Sequence, residues 1–112
     1  MKGQYGLAKD EARAAHFIRL SAAQGHTEGA YNFGNCCYNG VGVRVDKKKA
    51  AYYFKLAAQK GFAKAQYSLG KMYLNGDYLA KDVEKGIRLM QLAGDQGHEA
   101  AQVEVVNYRY CT

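Results

Sequence analysis

Proline is absent from the 112-residue sequence. That argues against proline-punctuated loops and for short helices ended by glycine, which occurs 13 times. No stretch approaches the roughly 18 consecutive apolar residues of a membrane helix, and the opening MKGQYGLAKDE lacks the apolar segment of a signal peptide. With Met1 as the native start, the expectation is a cytoplasmic protein; a chain cut from a longer secreted array would be exported. Cysteine is scarce. Cys36, Cys37 and Cys111 are odd in number, lack the CxxC spacing of a metal site, and include an adjacent pair that a helix can scarcely bridge. They are expected to be thiols, Cys36 and Cys37 as small core fillers. With no histidine near them in sequence, a nucleophilic role has no support.

Charge of one sign is in excess, at +6 overall, and the excess is local. Residues 46–81 carry +6, residues 1–9 carry +2, residues 10–45 balance, and residues 82–112 carry −2. Such a field suits an acidic peptide or a phosphate backbone and does not by itself choose between them. With 48% hydrophobic residues, the chain suits one small domain over 1–112, large enough to fold without a disulfide or metal.

The chain is similar to itself at an interval of 36. Asp10, Asp46 and Asp82 align, as do Leu20, Leu56 and Leu92, and Gly25, Gly61 and Gly97. Copies 10–45 and 46–81 also share Ala14 with Ala50, Tyr31 with Tyr67, Gly34 with Gly70, and Asn39-Gly40 with Asn75-Gly76. The third copy, 82–112, keeps Lys85 opposite Lys49, Ala101 opposite Ala65 and Gln102 opposite Gln66. A fixed period of this length marks an array whose units bury apolar surface by stacking.

Apolar spacing predicts two helices in each copy. Ala50, Tyr53, Phe54, Ala57 and Ala58 share one helical face, and after Gly61 so do Ala65, Leu69, Met72 and Tyr73. Asp46 suits an N-cap because its carboxylate accepts from the free N–H groups of the first turn. Gly61 and Gly76 suit helix ends. The same punctuation predicts helices near 10–24, 27–39, 46–60, 63–75, 82–96 and 98–110. Ala57, Ala58 and Gly70 are expected to let helix axes approach closely.

The run Lys49-Ala50, Tyr53, Leu56-Ala57-Ala58, Gly61, Ala65, Leu69-Gly70, Tyr73 and Asn75-Gly76 resembles the Sel-one-like repeat, a relative of the tetratricopeptide repeat. The resemblance runs from about Gly3 to Tyr110. It implies an all-α fold, a right-handed α-α superhelix of 36-residue helix-turn-helix repeats with six helices. The ends depart from the pattern. Gln4-Tyr5-Gly6-Leu7 align with the loop Gly40-Val41-Gly42-Val43, while Val106 stands where Gly34 and Gly70 stood and Arg109 where Tyr73 stood. Both terminal copies are therefore expected to be incomplete.

By the same resemblance a ligand is expected on a concave face, at positions flanking Ala65, Leu69 and Tyr73. These are Lys64, Tyr67, Lys71, Leu74 and Asn75, with Glu28, Tyr31, Asn35, Tyr38 and Asn39 in the first copy and Ala100, Val103, Asn107, Tyr110 and Cys111 in the last. Asn both donates and accepts, as a peptide group requires, Lys offers a point charge to a carboxylate, and Tyr adds rigid contact area. The predicted peptide-binding set is Tyr31, Asn35, Tyr38, Lys64, Tyr67, Lys71, Asn75 and Asn107. Asn39 and Asn75 have an equally good reading as C-terminal helix caps.

These features point to a non-enzymatic scaffold for an extended, acidic peptide. No phosphate-binding loop, GxSxG or paired carboxylates appear, and no cofactor or small-molecule substrate is implied. His16, His26 and His98 occur singly; the last two sit two repeats apart, roughly 20 Å by helix-layer arithmetic, too far to share a metal. The alternative is electrostatic RNA binding through Lys47-Lys48-Lys49, weakened by the lack of interleaved aromatics. Self-association is a further expectation, through Val103, Val105, Val106 and Tyr108 on the last helix and Ala14, Phe17 and Ile18 on the first.

Overall fold

The computed structural model describes Arg13, His16 and residues 26–110. Among these residues there are five α-helices and no strand: α1 (Thr27–Asn39), α2 (Lys47–Gln59), α3 (Ala63–Asn75), α4 (Val83–Asp95) and α5 (Glu99–Tyr110). The expected six-helix superhelix is corrected accordingly. The helices span 12 or 13 residues each. The 15-residue spans predicted over 46–60 and 82–96 were too long for a local reason: Asp82 is an extended N-cap outside its helix, and Gly61 and Gly97 turn left-handed beyond the ends. Of the helix predicted over 10–24, only Arg13 and His16 are described, both helical and exposed, and Ala14, Phe17 and Ile18 lie outside the described residues.

The 36-residue interval reappears as a set of hydrogen bonds. Asp46 Oδ1 accepts from the Lys49 N–H and Asp82 Oδ1 from the Lys85 N–H, each at 3.1 Å. The same aspartates donate their own N–H groups back to Cys37 O and Tyr73 O, which closes the long loop onto the helix before it. Gln66 Nε2 donates to Ala58 O at 3.3 Å, and its counterpart Gln102 to Gly94 O at 2.9 Å. Each glutamine thereby adds a second donor to a carbonyl in the last turn of the preceding helix, which also accepts the N–H of Gly61 or Gly97.

The chain divides into two compact units, residues 1–53 and 54–112, with the boundary inside α2. In the first, Ala30, Phe33, Cys37, Ala50 and Ala51 are buried. The Phe33 ring meets Tyr53 edge to face at 4.9 Å. Cys36 and Cys37 are thiols. Burial pushes the Cys37 thiol up, with Asp46 and Cys36 adding to the shift and Lys49 opposing it, so little thiolate exists at neutral pH. Cys111 lies outside the described residues.

In the second unit Leu74, Met90, Ala93 and Ala101 form a core, with Ala63, Tyr67, Ile87, Val105 and Tyr108 packed around it. Here α3 and α4 meet at two glycines. A Cβ on Gly70 would lie 3.1 Å from Gly86 O, and one on Gly86 would lie 3.0 Å from Gly70 O. The atoms that a Cβ on Gly70 would meet first belong to Gly86, Leu89 and Met90 of α4.

Tyr78 departs from the repeat. It holds φ 63°, left-handed like Gly42 one period earlier at φ 73°. A side chain there costs about 1–2 kcal/mol, partly offset because glycine loses more entropy on folding. Tyr78→Gly is expected to raise the thermal midpoint by a few degrees, at roughly 4–8 °C per kcal/mol in a domain of this size. A drop in calorimetry would show that the half-exposed ring makes contacts worth more than the strain.

Candidate peptide-binding surface

Lys64, Tyr67, Lys71 and Asn75 recur every three or four residues along α3 and therefore share one face. Lys64, Lys71 and Asn75 are exposed and Tyr67 is half-buried. The Tyr67 ring stacks on the His98 imidazole with centroids 4.5 Å apart and planes 27° from parallel. Lys71 Nζ lies 5.6 Å from the same ring, within the range of cation–π attraction. Leu74 does not belong to this surface. It is 2% exposed and sits in the core with Met90, Ala93 and Ala101, which corrects its placement on the ligand face.

His98 is half-buried and precedes α5, where its Nδ1 accepts the Ala101 N–H at 3.2 Å and caps the helix. Two signals in the sequence pointed there: its place just before a helix, and the rings at the equivalent positions, His26 and Phe62. His26 is the N-cap of α1 and Phe62 that of α3, and neither makes a side-chain cap bond.

The first-copy residues lie on α1 in the other unit. Tyr31, Asn35 and Tyr38 are half-buried, while Glu28 and Asn39 are exposed. Lys47 Nζ lies 5.2 Å over the Tyr38 ring. Of the lysine triplet, Lys48 and Lys49 are the exposed members. Asn39 and Asn75 are not C-caps; Gly40 and Gly76 hold that place in left-handed geometry, their N–H groups reaching Cys36 O and Met72 O.

On α5, Ala100, Val103, Val106, Asn107 and Tyr110 are exposed. Val105 and Tyr108 pack against the core, so they are not part of the open face expected there. Among the described residues, concavities lie within the single units. One of about 350 Å³ is lined by Phe33, Cys37, Asp46 and Lys49 among others, and one of about 440 Å³ lies between α4 and α5. Among the described residues no group of three His, Cys, Asp or Glu side chains is placed to hold a metal ion. No described helix is long and apolar enough to cross a membrane.

The Sel1 repeat family model matches residues 1–26, 27–62 and 63–98. These windows repeat at 36 residues, like the copies read from the sequence, but start at a different point in the period. No curated protein matches the chain. Among solved structures, c5321, a protective antigen present in uropathogenic Escherichia coli strains displaying an SLR fold, is similar at 27% identity and a TM-score of 0.84. That likeness covers 87% of this chain and 21% of c5321, so the chain spans about a fifth of that relative. A Sel1 repeat protein from Oxalobacter formigenes is similar at 25% identity and a TM-score of 0.78, covering 86% of this chain and 72% of that one. With three repeat matches spread over residues 1–98, the chain belongs to the Sel1 repeat family.

Proposed function

We propose that the chain is a scaffold that holds an extended, acidic peptide segment along α3. The observation that carries this reading is the Tyr67 ring, contacted by the His98 imidazole and the Lys71 ammonium, with exposed Lys64 and Asn75 on the same helix face. A rigid aromatic beside a cation offers contact area and charge at low entropic cost, and Asn75 can pair with a peptide group. Tyr31, Asn35 and Tyr38 on α1, and Asn107 on α5, offer the same chemistry and form secondary contact sets.

The test is an NMR titration with acetyl-Gly-Glu-Gly-Gly-Glu-Gly-amide and its Gln-for-Glu counterpart. The acidic peptide is expected to bind more tightly, with shifts centred on Tyr67 and Lys71. Lys71→Glu should weaken it roughly tenfold or more, the worth of a hydrogen bond to a charged group. Its effect on stability should stay within about 0.5 kcal/mol, as for other surface changes. Asn35→Ala with Asn107→Ala should weaken binding less. The electrostatic alternative wins if nonspecific RNA binds tightly, lets go steeply with salt, and is lost on Lys47→Glu with Lys48→Glu but kept on Lys71→Glu.

A further inference from the structure

His98 does more than its helix requires. The Ala101 N–H donates to Nδ1, so that nitrogen must present its lone pair and the ring proton of the neutral imidazole sits on Nε2. Stacking on Tyr67 fixes the ring plane. Among the described residues no acceptor meets Nε2; Glu99 follows in sequence but is exposed and makes no hydrogen bond to the imidazole. The cap does not explain the choice of histidine either. Phe62 occupies the equivalent position before α3, and that helix forms with no side-chain cap bond at all. Position 98 thus holds an oriented donor beside the aromatic ring that Lys71 also approaches.

We infer that His98 is a specificity-determining residue of the α3 surface, donating Nε2–H to a glutamate or aspartate carboxylate of the bound segment. The inference rests on α3 being a peptide-binding surface and adds the residue that distinguishes a carboxylate from an amide. The donor is held in place, so its bond costs little ordering. A carboxylate accepts from such a donor without giving one back. A Gln side chain accepts less strongly.

Two measurements test it. Long-range ¹H–¹⁵N correlation on the whole chain should show His98 as the Nε2–H tautomer, and an Nδ1–H tautomer would overturn the proposal. Titration of His98→Phe with the two peptides should then show the Glu peptide binding roughly tenfold or more weakly than to the natural chain, with the Gln peptide weakened much less. His98→Asn retains a good helix cap and provides the same comparison should the phenylalanine variant fold poorly. Equal weakening toward both peptides, or none, sinks the role of His98. If the natural chain fails to prefer the Glu peptide, it is the reading of α3 itself that falls.

Discussion

Met90→Ala is expected to destabilise the second unit by about 2–5 kcal/mol, the range for truncating a large buried side chain. Met90 is 0% exposed and, with Cys37, is one of the largest fully buried side chains in the described chain. It touches the core formed by Leu74, Ala93 and Ala101, so its loss removes apolar contact from three helices at once. Leu69→Ala, 3% exposed, should behave similarly. The α4–α5 concavity beside Met90 also includes Gln91 and Gln102 in its lining. Water can therefore enter part of the space, which holds the cost below that of a sealed apolar void. Leu92→Ala is the contrast: Leu92 is 47% exposed, and its truncation should cost about 0.5 kcal/mol or less. Both are read by urea denaturation. Equal costs for Met90 and Leu92 would mean that α4 is rotated about its axis from the orientation described.

Leu92 also marks how far the sequence could be read. Leu20, Leu56 and Leu92 recur at the repeat interval, yet Leu56 is half-buried and Leu92 exposed. Recurrence reports equivalence between copies, whereas burial depends on which neighbours each copy has. The helix ends were legible because they are local: a carboxylate accepting an N–H three residues on, and a left-handed glycine after the last turn, are demands of the backbone itself. Leu74 was misplaced because α3 meets α4 through Gly70 and Leu74 in addition to its other packing face, so a position flanking one buried stripe lies on a second. On α5 the counterparts of Tyr67, Gly70 and Leu74 are Val103, Val106 and Tyr110, all exposed because no described helix covers that face. His98 escaped notice because capping and stacking are spatial facts; the traces in the sequence were its place just before a helix and a ring at 26, 62 and 98. Gly86 escaped likewise, standing opposite Ala14 and Ala50 as one more small residue.

Gly86→Val is expected to cost about 3 kcal/mol, the upper end of ordinary overpacking. A Cβ at this position would fall 2.6 Å from both Cγ and Cδ2 of Leu74, closer than real Cβ contacts allow, and 3.0 Å from Gly70 O. Leu74 has little room to retreat at 2% exposure, and Gly70 O is main chain that moves only with its helix. Gly86→Ala should cost less, near 1 kcal/mol, because alanine regains about 1 kcal/mol of helix propensity against the same first clash. Gly94→Ala is the control on the same helix. Its Cβ would meet chiefly Gln102 Cγ at 3.1 Å, on an exposed, flexible side chain that can give way, so the change should be close to neutral. A double-mutant cycle isolates the clash. Leu74→Ala alone should cost about 2–5 kcal/mol, and combined with Gly86→Val the total should fall short of the sum by 1 kcal/mol or more, roughly the coupling expected of residues in contact. Strict additivity would mean that α3 and α4 separate as rigid bodies to admit the valine, and that the glycine pair sets helix spacing without Leu74 holding it there.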